Sequence, residues 1–447
     1  MPYDADSGSA LAALLAHARK LGADSADASV SRRESLSAEV RLGDLEGVER
    51  EEARSIALRA FFGKRQAAAS SSDVSDEGLA ALAERVIAMA RAAPEDAFCG
   101  LLAPEHRATV LPDLDTADAA RPSAVELEEM ARAAEDAARA VAGVTNSGGA
   151  EAGWSSGETA YATSDGFAGV HRGTSYSLSV SPLAERDGQK ERDYDYDTQR
   201  FFADLKSPEA IGRTAGDRVV ARLGSRKIES TRAGVVFEQR LAGRMLGPLI
   251  GAINGAAVAR GVSFLKDKLG ERIFPDAFSL TEDPLKPRAL ASRAFDGEGA
   301  RVSPRALIDA GVLTTWTLNA SAARQLGLAP TGHATLGHGG PPGIGVSNLR
   351  VAPGADGFDA LLAKAKRGLV VTDMFSPSLN MNTGDWSVGV AGFWFEGGAI
   401  AHAVSEITVA GNIIDIYARL IAGADSECRG SMETPSLFVD DLAIGGL

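Results

Sequence analysis

The stretch "TGDWSVGVAGFWFEGGAIAHAVSEITVAG", residues 383–411, constrains the fold more than any other. It reads as a long hairpin turning at Glu396-Gly397-Gly398, which commits this part of the chain to antiparallel sheet. The terminal "SLFVDDLAI" adds a further strand pattern. Period-two patterning also governs residues 144–202. There "TSYSLSVS" places Tyr176, Leu178 and Val180 on one face, and Asp187-Gly188 suits a hairpin turn. The run "DYDYD" alternates Asp193, Asp195 and Asp197 with two tyrosines, and a solvated strand face accounts for it. A calcium loop would need glycine at its sixth position, where this chain has Thr198.

Helical periodicity is confined to separate segments. Ser7 or Ser9 is placed to cap a first helix striped by Leu11, Leu14, Leu15, Ala18 and Leu21, with Gly22 ending it. Strand signals fill residues 26–69. A second helix from about Ser75 carries Leu79, Leu82, Val86 and Met89, and Pro94 follows it. The proline-rich stretch 94–122 reads as a surface connection. Ser123 and Glu126 form a capping box for a third helix, and Ser207-Pro208 opens a fourth. Beyond residue 225 comes a glycine-rich helical pair at about 238–260, then turn-rich sequence and many strands. The expectation is an α+β protein in two domains. Residues 1–224 make a helix and antiparallel-sheet domain, and residues 225–447 make a β-rich domain with a helical pair.

Charge and composition narrow the function. The chain has 447 residues and a net charge of −14, with no basic run, so a nucleic-acid surface is not expected. The N-terminus lacks a basic leader region, and no window approaches the roughly 18 apolar residues of a membrane span. A cytoplasmic protein is expected. Cys99 and Cys428 lie too far apart to suggest a disulfide framework.

The chemistry-bearing motifs are sparse. Six histidines are present, and no two of them are spaced one helical turn apart. His333 and His338 stand in "TGHATLGHGGPPGIG", where glycine and proline forbid a helix. The glycine loop 337–345 leads into strand-like "VSNLRVAPG" rather than a helix, so it reads as a connection between strands, not a phosphate cradle. No nucleophile elbow occurs, and Cys428 stands in a polar loop. Glu238, in "AGVVFEQRLAGRMLG", follows an apolar strand and opens a helix striped by Leu241, Met245 and Leu249. A first-turn glutamate is favoured by the helix dipole, and Gly247-Pro248 is expected to break or kink that helix.

These residues, with "LIDAGVLTTWTLNASAARQLGLAPTGHA", "DMFSPSLNMNTGDWSVGVAGFWFEGGAIAHAVSEITVAGN" and "PSLFVDDLAIGG", resemble the TldD/TldE (TldD/PmbA) metallopeptidase family. TldD-type chains carry H-E-x-x-x-H after an apolar strand, with a later cysteine completing a zinc site. Laid on that motif, Phe237 stands at the first histidine, Glu238 at the glutamate and Ala242 at the second histidine. Cys428 falls near the ligand cysteine. The resemblance implies a TldE/PmbA-type subunit with no catalytic residues and no metal of its own. Zinc is expected in a TldD-like catalytic partner, and unfolded or short peptides are the expected substrates. It also implies a heterodimer, with a homodimer open to the chain when alone, and makes hairpin 385–409 a candidate chamber wall. Two alternatives stand beside it. One is an autonomous peptidase using His333, His338 and Cys428, and the other is a ligand-binding protein using loop 337–345.

Overall fold

A computed structural model describes residues 5–447; the first four residues of the N-terminal segment read above for a leader lie outside the described residues. The chain opens with α1 (Ala5–Lys20), β1 (Ser25–Arg41), β2 (Asp44–Phe62), β3 (Arg65–Ser71) and α2 (Asp76–Ala92). It continues through α3 (Ala124–Arg139), β4 (Val144–Thr163), β5 (Ala168–Arg186), β6 (Gln189–Arg192), β7 (Asp195–Gln199) and α4 (Pro208–Ala221). The strands form one antiparallel sheet in the order β3-β2-β1-β4-β5-β6, with β7 added against β5.

The helices cover one face of that sheet. Leu11, Leu14, Leu79, Leu82 and Val86 pack on Ala28, Val30, Ile56 and Leu58. Leu127, Ala131, Ile211 and Ala215 pack on Ala38, Val40, Ala150 and Leu178. The close approach of α3 and α4 depends on glycine, because a Cβ at Gly212 would lie 2.1 Å from the Ala134 carbonyl oxygen. The Ser123–Glu126 capping box and the Ser207-Pro208 start form as their residue types require. Two details differ from the sequence pattern. Ser7 and Ser9 lie inside α1 rather than capping it, and Met89 faces solvent while Ala83, Ile87 and Ala90 complete the buried stripe of α2.

The second half begins with β8 (Thr231–Phe237), α5 (Gln239–Ala252), α6 (Gly255–Ala259), β9 (Leu280–Asp283), β10 (Arg305–Asp309) and β11 (Val312–Leu313). After α7 (Ala320–Leu326) come β12 (Ala334–Thr335), β13 (Gly343–Ile344), β14 (Asn348–Val351) and α8 (Phe358–Ala365). The hairpin β15 (Arg367–Leu379), β16 (Asp385–Glu396) and β17 (Ala399–Asn412) leads to α9 (Ile413–Ala418) and β18 (Ile421–Ala422). The chain ends through β19 (Glu427–Arg429), β20 (Met432–Thr434) and β21 (Leu437–Gly445).

One sheet runs β17-β16-β15-β8-β21-β18, and an added β17–β21 pairing closes it on itself. A second runs β11-β10-β9-β14-β20-β19. The turn between β16 and β17 is two residues, Gly397 and Gly398, at φ 62° and 81°, the doubly positive geometry that glycine adopts without strain. Helix α5 continues through Pro248 to Ala252, contrary to the expected break; Leu249 and Ala252 are fully buried and hold its last turn in the core. Both cysteines are free. Among the described residues no helix is long and apolar enough to cross a membrane.

Candidate functional site: the strand-to-helix junction at 237–242

Alternation along β8 decides what the junction can hold. Val235 and Phe237 point into the main core with Leu241, Ala242 and Met245, while Val236 points to the opposite side, against Leu361 and Phe438. Phe237 and Ala242 are each 0 % exposed. The Phe237 ring meets Trp386 edge-on, with centroids 6.3 Å apart. Glu238 is the residue before α5 rather than in its first turn, at φ −56° and ψ 145°, and its side chain caps no helix N–H. Instead its Oε2 accepts from Arg240 Nε at 3.3 Å.

Arg240 anchors a layer of buried charge. Its guanidinium donates to both carboxylate oxygens of Asp193, at 2.8 and 3.2 Å, and to the backbone oxygens of Thr372 and Tyr194 at 2.8 and 3.1 Å. Arg222 reaches Asp193 and Asp373, each at 3.4 Å, and Glu191 at 3.3 Å. Asp195 receives Arg218 at 2.8 Å and Arg429 at 2.9 Å. Asp193, Asp195 and Asp197 are therefore buried, not a solvated face. The physical reason is that α4, α5 and β19 bring arginines to Asp193 and Asp195, while the Lys206 backbone N–H donates to Asp197 at 2.9 Å. Burial pushes the Asp193 carboxyl up, but the hydrogen bonds and charge of Arg240 and Arg222 outweigh it and leave the carboxyl below its usual range. Glu427 behaves alike: Arg429 and Lys206 overcome its burial and bring it down to about 2.

The other candidate residues are dispersed. His333 is buried, with Nε2 2.6 Å from Glu282 Oε2 and Nδ1 2.8 Å from Thr331 Oγ1, so side chains occupy both ring nitrogens. His338 lines a cleft over the N-terminal sheet. Cys428 lies on a short strand, β19, rather than in a loop. The residue lies at the surface, but neighbouring groups partly shield its thiol, and that desolvation, with the nearby carboxylates, raises its pKa. Strand β19 stands at the opposite end of its sheet from β11, separated by β20 and β14 from β9, which carries Glu282 and hence His333. The glycine stretch 337–345 follows β12, contains β13 and leads to β14, so it connects strands as its sequence indicated.

A divalent cation does not fit the junction. Phe237 and Ala242 offer no donor, and the carboxylate of Glu238 is engaged by a guanidinium. Among the described residues no three His, Cys, Asp or Glu side chains gather as a metal site. The feature that the sequence did not reveal is Arg240, the cation this junction does contain.

Fold and junction together define a protein built on a metallopeptidase framework. Residues 26–90 match the PmbA/TldA metallopeptidase domain 1, residues 116–223 the central domain, and residues 230–446 the C-terminal domain. The chain is 36% identical over 425 residues to Metalloprotease PmbA of Escherichia coli O157:H7, covering 95% of this chain and 92% of that one. It is 34% identical over 432 residues to a Metalloprotease PmbA homolog of Haemophilus influenzae, covering 96% and 94%. The chain belongs to the PmbA/TldD metallopeptidase family. A solved structure of a candidate modulator of DNA gyrase from Bacteroides thetaiotaomicron superposes with a TM-score of 0.92 at 27% identity, covering 99% of this chain and 100% of that one. TldE from Thermococcus kodakarensis shares the fold, with a TM-score of 0.87 at 19% identity and coverage of 98% and 100%.

Proposed function

We propose that this chain is the metal-free, TldE/PmbA-type subunit of a heteromeric peptidase that processes or degrades unfolded or short peptides. It works in the cytoplasm beside a TldD-like chain that carries the zinc and the catalytic residues. One observation supports this above all. The positions matching the two ligand histidines hold a phenyl ring and a methyl group, each sealed in the core.

The junction replaces metal coordination with packing. Arg240 ties α5 to β15 through the Thr372 carbonyl and to the N-terminal half through Asp193. That bond network gives the subunit a rigid wall where a catalytic chain needs an open coordination position. The role left to this chain is shape: presenting a stable surface to its partner and to the peptide between them. A self-sufficient peptidase built on His333, His338 and Cys428 finds no support in their dispersed positions.

The test is to purify the chain alone and together with a TldD-like partner, then measure metal content and peptide cleavage. The isolated chain should hold far less than one zinc and cleave nothing. The co-purified pair should cleave peptide, with zinc following the partner. About one tightly held zinc per isolated chain, or cleavage lost on His333→Ala, would overturn the proposal.

A further inference from the structure

The sheet spanning residues 25–199 has two unlike faces. The helices cover an apolar one. On the other, the register sets Ser31 beside Ser55 and Thr159, Thr159 beside His171, and Gly157 beside Gly173. A cleft of about 740 Å³ opens between this small-residue face and the segments 292–297 and 334–338. A second hollow of about 650 Å³ shares Arg33, Gly157 and Gly173 with the first, so the two form one trough.

The trough is cationic in an acidic protein. Five arginines and a single aspartate line the first hollow, in a chain of net charge −14; the second adds Arg54 and Arg121 together with Glu34, Glu52 and Glu158. Several of these arginines are committed: Arg200 donates to the backbone oxygens of Thr174, Ala289 and Leu290, and Arg172 to Glu158. Two retain capacity. The exposed guanidinium of Arg33 makes no ion pair or hydrogen bond among the described residues, and Arg293 Nε is buried without a partner. His171 stacks on Phe295 with centroids 3.9 Å apart, and burial beside Arg293 holds its pKa down to about 4. It offers a neutral, flat wall.

We propose that this trough binds an extended peptide bearing a free carboxylate, the carboxylate taken by Arg33 and the chain lying over Gly157. Arginine matches a carboxylate in charge and geometry. The absence of a side chain at Gly157 leaves the sheet open to a chain there, while the Arg200 guanidinium covers Gly173; the surrounding serine hydroxyls both donate and accept toward the peptide's amides. A compact phosphate is disfavoured, because phosphate cradles use free backbone N–H groups. Here β1 and β4 are paired on both sides. The proposal rests on the peptide-handling role above for its ligand class. It concerns the isolated chain, so its outcome and that of partner pairing are read separately.

The experiment is fluorescence anisotropy of the full chain with a short labelled Gly-Ser-Asp peptide, competed by its amidated Gly-Ser counterpart, by a lysine-rich peptide and by inorganic phosphate. Arg33→Ala should weaken binding about tenfold, the scale of a lost charge-assisted hydrogen bond. Gly157→Leu should abolish it without unfolding, since a Cβ there meets nothing nearer than the Arg32 carbonyl oxygen at 3.8 Å. Lys190→Ala, on the exposed β6 edge outside the trough, should change nothing; this substitution is the control. Failure to bind, equal affinity for the lysine-rich peptide, phosphate competing as well as peptide, or indifference to Arg33→Ala and Gly157→Leu would each overturn the proposal.

Discussion

The junction at 237–242 and the trough over the N-terminal sheet handle space and charge in opposite ways. At the junction the side chains at 237 and 242 are fully buried, and the nearby Asp193 and Asp195 are each met by arginines. Beside the trough, glycine and serine leave volume open. Below its end Asp27, Asp296 and Glu298 share fewer cations: Arg59 donates to Asp27 at 3.0 Å and stands 3.6 Å from Glu298. The lesson is that a family framework does not dictate where a member keeps its open volume. Here the motif position is sealed and the opening lies elsewhere.

Breaking the junction should cost the most. Arg240→Ala leaves Asp193 buried beside Arg222 alone and removes the link to Thr372. Loss of one partner from a buried pair typically destabilises by about 3–5 kcal/mol. Urea denaturation should show that shift in midpoint with little change in slope. A loss below about 1 kcal/mol would mean the charge layer is solvated in solution, and the contrast with the trough would fail.

The next effect separates the regions by pH. Burial lifts Glu298 to about 7, with Asp296 adding and Arg59 opposing. Its folded pKa thus exceeds the ordinary 4.5, so its contribution to stability is complete below pH 4.5 and is lost as pH rises through about 7. The amount is on the order of 3 kcal/mol. Glu427 has the reverse sign: its contribution is present above pH 4.5 and is lost as pH falls through about 2. Glu298→Gln should therefore flatten the fall in stability between pH 4.5 and about 7, and Glu427→Gln the fall below pH 4.5. Unchanged slopes in both would remove the electrostatic half of the comparison.

What the sequence made legible was local. The Ser123–Glu126 box, the Asp187-Gly188 turn and the Gly397-Gly398 turn are each set by neighbouring residues, and the motif around Glu238 is contiguous. Pairings between distant segments were not legible. Val235 lies parallel to Leu369, and Thr408 pairs with Gly445 to close the sheet. The alternating aspartates misled for the same reason. Period-two polarity looks identical whether a strand faces water or faces arginines delivered by α4, α5 and β19. Pro248 signals a break, yet burial of the residues after it carries the helix on. The trough is assembled from four strands of the N-terminal sheet and several segments far apart in the chain, so no single run of sequence announces it.

The smallest effects test packing directly, by adding atoms to each region. Ala242→His forces an imidazole into fully occupied core between Phe237, Leu246 and their neighbours, with no polar partner assigned to it. Overpacking and an unsatisfied polar ring together should cost at least about 2 kcal/mol. Gly157→Ala adds a methyl group to open space, its nearest neighbour at 3.8 Å, and should change stability by no more than about 0.5 kcal/mol. Thermal denaturation of the two variants compares them on one scale. Equal losses would show that the trough is as tightly filled as the core, because only free volume distinguishes the two insertions.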